Sequence, residues 1–316
     1  MQLRPLGSTG FQIAPLVFGG NVFGWTADEI TSFAILDQFV DRGFNAIDTA
    51  DGYSRWVPGH SGGESETVIG KWLAANPDKR DKIVLFTKVG SDMGLGKKCL
   101  KADWILKEVD ESLRRLQTDH IDLYFSHWPD PETPHEETLG AYAKLLDAGK
   151  IRSIGASNYD ADLLSAALSV SEEKGLPRYQ VIQPEYSLSV RSVLEGPLLE
   201  LTKREGIGVV TYFSLAAGFL TGKYRSAADL EDKPRGRMVE KYMDARGQKI
   251  LAALDEVSGA HNTKPAEVAL AWIIAKDGVT APIASATNID QLQSLFRAAE
   301  LSLSADEMAL LDAASA

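Results

Sequence analysis

A chain of 316 residues with 44% apolar and 24% charged side chains can bury a large core and has an ordinary globular composition. Its formal net charge of -11 argues against broad contact with nucleic acid or anionic lipid, and no apolar run approaches the length of a membrane span. The lone cysteine, Cys99, excludes an internal disulfide and fits a reducing, cytoplasmic setting.

Short apolar pieces around Gly7 and Gly10 predict a hairpin at the start. A strand over 14–19 follows, then an amphipathic helix over 28–42. The same alternation predicts strands over 44–48, 83–89, 121–126, 152–157, 180–183, 208–212 and 280–284. The helices between them are expected over 65–75, 102–116, 136–148, 160–174 and 193–205, then 245–260 and 265–276. A polar stretch over 221–244 precedes that last pair, and a helix over 289–299 follows the final strand. Ser304, with Glu307 three residues on, reads as a capping box for an added helix over 304–314.

Eight strand-then-helix units in order predict a parallel sheet, and eight is also the count that closes a barrel with a filled interior. An open doubly wound sheet satisfies the same alternation, but no G-x-G-x-x-G follows the first strand. The expected fold class is therefore α/β, an eight-stranded parallel (β/α)8 TIM barrel with an N-terminal hairpin and extra C-terminal helices. With no linker composition anywhere, residues 1–316 are expected to form one domain.

Four residues stand out because they end strand-like runs or follow them closely: Asp48, Tyr53, Lys88 and His127. The C-terminal ends of parallel barrel strands meet at one face, so these side chains are expected to converge there. A phenol titrates near about 10 and is sluggish at neutral pH. A neighbouring ammonium favours the phenolate and lowers that value, and a carboxylate anchors the ammonium. Tyr53 is then an acid, Lys88 its tuner, Asp48 the anchor, and His127 a group that orients a carbonyl oxygen. Such a relay moves a proton but has no hydride source, so a cofactor is required. A metal hydrolase is disfavoured because the five histidines include no H-x-H pair, and no metal is expected.

The run GFNAIDTADGY over 43–53 resembles the first signature of the aldo-keto reductase superfamily. LYFSHWP over 123–129 resembles its histidine strand, and VLFTK over 84–88, IGASN over 154–158, Gln183 and YFSLAAGFLTGKY over 212–224 match further blocks in order. The resemblance spans essentially the whole chain. It implies an eight-fold barrel that binds a nicotinamide dinucleotide without a Rossmann domain, and reversible hydride transfer between NADP(H) and an aldehyde, ketone or alcohol. NAD(H) is a second option.

By matching position, the resemblance implies that Tyr53 is the general acid/base and that Asp48, Lys88 and His127 complete its tetrad. Ser157, Asn158 and Gln183 are implied to bind the nicotinamide carboxamide and Tyr212 to stack on its ring. Ser214, Leu215, Gly218, Lys223 and Arg225 fall in the loop over the pyrophosphate, to which Arg235 and Arg237 add charge.

Three features depart from the family pattern. SRWVPGHSGG intervenes over 54–63, putting Trp56 near the substrate mouth beside Trp25 and Trp128 as a candidate aromatic wall. The block often reading Y-S-P-L is YFSL over 212–215. After the last strand, Ala284 and Gln291 fall near the usual basic pair for the 2′-phosphate, leaving Ser285, Thr287, Asn288 and Gln291 as groups that can hydrogen-bond a phosphate or a free ribose. The expected partners are a small-molecule carbonyl or alcohol, with neither nucleic acid nor membrane. The contrasting possibility is a non-catalytic redox-sensing subunit on the same barrel.

Overall fold

In the computed structural model, residues 2–231, 233 and 236–316 are described, apart from the side chain of Ala227; Arg235 lies outside that set. Strands β1 (Arg4–Pro5) and β2 (Gln12–Ile13) form the predicted antiparallel hairpin. Eight parallel strands then close a barrel: β3 (Val17–Gly19), β4 (Ala46–Asp48), β5 (Val84–Val89), β6 (Ile121–Ser126), β7 (Ile151–Ser157), β8 (Val181–Gln183), β9 (Gly208–Thr211) and β10 (Ala281–Ala284). Strand β10 hydrogen-bonds to β3, which leaves the barrel itself without a free edge.

Around the barrel lie α1 (Glu29–Asp41), α2 (Glu64–Ala75), α3 (Ala102–Leu116), α4 (His135–Asp147), α5 (Ala161–Lys174) and α6 (Pro197–Glu205). They are followed by a single turn α7 (Gly236–Val239) and by α8 (Ala245–Ala260), α9 (Pro265–Ala275), α10 (Ile289–Glu300) and α11 (Ala305–Ala314). The starts are set by side chains that accept orphan backbone N–H groups: Asp28, Asp160, Asp244, Asn288 and Ser304 each bond the N–H three residues on. Ser304 and Glu307 make the reciprocal capping box.

Helix α6 begins four residues later than the expected start at 193. Gly196 takes φ 97°, ψ -134°, outside the helical region, and Pro197 stands at the first helical position, where its missing N–H costs nothing. The polar stretch over 221–244 contains the short α7 and flanking 3-10 turns.

Period-two alternation decides which side chains enter the barrel. Val17, Ala46, Val84, Phe86, Leu123, Phe125, Val181, Val210, Ala281 and Ile283 form its buried interior. The opposite faces of the same strands pack on the helices in a larger cluster that includes Leu85, Tyr124, Ile154 and Ile182. At Gly155 a Cβ would lie 2.4 Å from the Phe125 ring, so only glycine lets that ring fill the barrel. Continuing the inward-facing rows toward the strand C-termini leads from Ala46 to Asp48, from Phe86 to Lys88, from Phe125 to His127 and from Val181 to Gln183. One apolar core thus ends in a polar mouth.

The other end is closed by the hairpin. Leu6 and Ile13 are fully buried in the barrel's interior cluster, with Phe11 packed against it. Removing the Leu6 side chain in Leu6→Ala should cost about 2–5 kcal/mol of folding stability. Urea unfolding measures this, and a loss below about 1 kcal/mol would show that the hairpin is not part of the core.

Candidate active site

The register of β4 and β5 pairs Asp48 with Phe86, which brings the next inward residue, Lys88, over the carboxylate. Lys88 Nζ donates to Asp48 Oδ2 at 2.7 Å, to Thr49 O at 2.7 Å and to Tyr53 Oη at 2.8 Å. Its three N–H groups are therefore all matched, as a fully buried ammonium requires. Tyr53, on the loop after β4, donates its hydroxyl to the same Asp48 oxygen at 3.0 Å. The second oxygen, Oδ1, accepts from Gln183 Nε2 at 2.9 Å. Three strands are thus joined through one carboxylate.

Burial pushes the Tyr53 phenol well above its ordinary value, and the negative charge of Asp48 adds to the shift. The lowering expected from Lys88 is outweighed. Burial also pulls the Lys88 ammonium below its usual value, with Asp48 opposing. Burial, Lys88 and Lys98 together hold His127 well below the usual imidazole range. At neutral pH the mouth contains a protonated phenol and a neutral imidazole.

His127 follows β6. Its N–H donates to Val89 O at 2.8 Å, and its carbonyl accepts from Asn158 Nδ2 at 2.8 Å. The imidazole Nδ1 lies 2.9 Å from Ser91 Oγ, and the ring stands edge-on to Tyr53 with centroids 6.0 Å apart. Trp128 stacks beside it at 6.0 Å, with the Lys98 ammonium 3.9 Å from the Trp128 ring centre. In the extra loop, Trp56 is half exposed and meets Trp25 edge-to-face at 5.4 Å. Trp56 lies 6.1 Å from the Tyr53 ring, so these aromatic groups border the mouth.

The residues that resemblance associates with the cofactor fall into three groups. Ser157, Asn158, Gln183 and Tyr212 adjoin the four-residue cluster. Ser157 Oγ donates to Gln183 O at 2.8 Å, and Tyr212 Oη donates to Asn158 Oδ1 at 2.6 Å. Asn158 adopts φ 62°, a left-handed conformation that asparagine tolerates better than most residues. The loop after β9 forms the second group: buried Ser214 bonds Thr211 O at 3.0 Å, Leu215 O accepts from Gly218 N at 2.8 Å, and Phe213, Ala216, Ala217 and Gly218 all have positive φ. Lys223 lies over the Tyr224 ring, whereas Arg225 makes a two-pronged pair with Asp255 at 2.8 and 2.7 Å.

The third group follows β10. Ser285 Oγ bonds Asn21 Oδ1 at 2.6 Å, and Gln291 Oε1 accepts from Thr287 N and Oγ1 at 2.9 and 3.1 Å. Two partners escaped the sequence reading. The tie from Gln183 to Asp48 was legible from inward alternation on β8, but the contact of Ser91 with His127 depends on a loop path that periodicity does not encode. Among the described residues no group of three or more histidine, cysteine, aspartate or glutamate side chains is placed to hold a metal.

A closed parallel barrel with an ionisable cluster at its C-terminal mouth is an enzyme architecture. The profile of the aldo/keto reductase family matches residues 15–316. The uncharacterized oxidoreductase YrpG of Bacillus subtilis is 34% identical over 99% of this chain and 95% of its own length. The protein Tas of Escherichia coli is 32% identical over 99% and 97% respectively. A probable voltage-gated potassium channel β subunit of Arabidopsis thaliana is 31% identical over 95% and 92%. The chain belongs to the aldo/keto reductase family, and with it to the oxidoreductases that act on carbonyl and alcohol groups.

The His127 environment fixes a pH dependence. An unfolded-state imidazole takes up a proton near about pH 6.5, whereas the folded one resists it to a lower pH. The folded state then binds fewer protons, so this contribution is present above that pH and is lost progressively as pH falls below it. His127→Gln should flatten the slope of stability against pH between 7.5 and 5 by up to about 1.4 kcal/mol per unit. Urea melts across that range measure it; an unchanged slope would mean that His127 is not protected.

Proposed function

We propose that the protein is an NADP(H)-dependent aldo-keto reductase that reduces an aldehyde or ketone, and oxidises the corresponding alcohol in reverse, with Tyr53 as general acid/base. The observation that carries this reading is the Tyr53 hydroxyl, joined at once to Lys88 Nζ at 2.8 Å and Asp48 Oδ2 at 3.0 Å at the barrel mouth. A half-buried, poorly solvated phenol keeps its proton until an oxyanion forms beside it, and Lys88 then stabilises the phenolate left behind. His127 orients the carbonyl oxygen. The ion pair from Lys88 to Asp48 holds the proton donor in place.

The residues present fit a nicotinamide dinucleotide. Gln183 has its amide nitrogen on Asp48, which leaves its carbonyl oxygen for a carboxamide N–H. Ser157 and Asn158 complete that polar edge, and the half-buried Tyr212 offers a ring face. Ser214, Leu215 and Gly218 form the loop over the diphosphate, with Lys223 as a nearby cation. Ser285, Thr287 and Gln291 take the adenosine ribose or its phosphate. When bound, the cofactor supplies the hydride. Arg225 is engaged by Asp255, and the 285–291 segment offers hydroxyl and amide groups in place of a basic pair, so NAD(H) is a second cofactor to test. Trp25, Trp56 and Trp128 form the aromatic side of the carbonyl site.

The similarity to a channel β subunit favours one alternative, a nicotinamide-binding redox sensor. The complete Asp48–Tyr53–Lys88–His127 cluster supports the enzyme. Fluorescence titration with NADPH and NADH, followed by a carbonyl panel, separates the two: tight binding without turnover selects the sensor. Tyr53→Phe should lower kcat by at least about a hundredfold while the cofactor Kd stays within about twofold. Retained turnover would overturn the role of Tyr53.

A further inference from the structure

His127 has one ring partner that the proton relay leaves unexplained. Ser91 Oγ lies 2.9 Å from Nδ1, and it makes no other hydrogen bond to a described residue. We propose that Ser91 is a positioning residue that fixes the tautomer of His127: its hydroxyl donates to Nδ1, so the ring proton stays on Nε2 and points to the carbonyl oxygen. The catalytic consequence rests on the carbonyl-reductase reading above; the tautomer does not.

A neutral imidazole has one N–H and one lone pair, and the partner of one nitrogen decides the role of the other. A carbonyl oxygen only accepts hydrogen bonds. If Ser91 accepted from Nδ1–H, the bare lone pair of Nε2 would face the carbonyl lone pairs and repel them. If Ser91 donates, Nε2–H joins the Tyr53 hydroxyl, once that hydroxyl turns from Asp48 Oδ2 to the substrate, as a second donor to the same oxygen. The proton count closes simply: Tyr53 transfers its proton to the alkoxide, while Nε2–H and the serine hydroxyl keep theirs.

The surroundings hold Ser91 in that place. The His127 backbone is fixed at its N–H by Val89 O and at its carbonyl by Asn158, so rotation of the imidazole is the freedom that remains to be pinned. Gly90 has φ 106° and turns the chain sharply at the end of β5, which carries Ser91 back toward the histidine. From the other side, a Cβ on Gly52 would sit 3.2 Å from Ser91 Cβ and 3.4 Å from its Oγ. Gly52 directly precedes Tyr53, so the serine fits between the tyrosine loop and the imidazole. Burial and the two lysine charges keep the ring neutral, so the choice between tautomers is open until a neighbour makes it.

The test uses the full chain labelled with 15N-histidine, with His127→Gln assigning the His127 signals. Long-range proton–nitrogen spectra should show the Nε2–H tautomer dominant in the wild type and a mixture in Ser91→Ala, while Ser91→Thr, which keeps a hydroxyl, retains the wild-type pattern. In steady-state assays with the best carbonyl from the panel, Ser91→Ala should lower kcat about tenfold, the size of one lost hydrogen bond, with a smaller change in KM. In a His127→Gln background the same substitution should cost less than about twofold, because Ser91 acts through His127. An Nδ1–H tautomer in the wild type, or an unchanged tautomer in Ser91→Ala, would overturn the proposal. So would an equal loss of activity in the His127→Gln background. An Nε2–H tautomer in a protein that turns over no carbonyl would uphold the role of Ser91 and overturn the reductase reading instead.

Discussion

The buried pair of Lys88 and Asp48 is the constraint on which the mouth of the barrel depends. Two ions removed from water carry a desolvation cost of several kcal/mol each, and attraction between them offsets it only when the remaining hydrogen-bonding groups are also matched. That condition is met here: Lys88 has Asp48, Thr49 O and Tyr53 Oη, and Asp48 has Lys88, Tyr53 and Gln183. Take away any one of these and a charged group would be left wanting a partner in a place that water reaches poorly. The geometry of the mouth is therefore not separable from the solvation of one ammonium. Tyr53 is positioned because it completes that solvation.

The barrel makes such a pair possible by fixing register. Inward side chains recur every second residue, so apolar rows on β4, β5 and β8 end in Asp48, Lys88 and Gln183 without any change of backbone path. A one-residue slip on any of these strands would turn its polar end toward the helices. The apolar filling below, from Val84 and Phe86 to Phe125 beside Gly155, is what makes a slip costly. Packing at the closed end of the barrel thus holds the chemistry at the open end in place. The link runs from sequence alternation, through register, to the distance between an ammonium and a phenol.

That dependence also explains what the sequence made legible. Strand β6 and helix α3 have the bounds that periodicity predicts, because each carries a long, regular apolar row. The convergence of Asp48, Lys88 and His127 followed from the same rows. Helix α6 starts later than its apolar spacing predicts, because that spacing continues through residues 193–196 while one glycine with an irregular backbone delays the first turn. The Tyr53 phenol lies above its ordinary value where the Lys88 charge alone predicts a lower one, since charge types can be read from a sequence but the desolvation that outweighs them cannot. The pairing of Arg225 with Asp255 was equally hidden, being a contact between residues thirty positions apart whose loop path has no periodic signature.

Burial acts on the two central groups in opposite chemical senses and with one result. It raises the phenol and lowers the ammonium, so the neutral form of each becomes easier to reach than in water. Asp51, three residues after Asp48, is pushed above its ordinary value by burial and by the charges of Glu66 and Glu108. Asp48 is the carboxylate paired with Lys88, at 2.7 Å. A negative oxygen appearing beside Tyr53 would meet a proton held by a phenol and a positive charge one hydrogen bond further on, with His127 neutral and without a competing charge of its own. The same desolvation that makes the resting cluster demanding to fold strengthens the attraction of the Lys88 ammonium for an incoming oxyanion, against the opposing charge of Asp48.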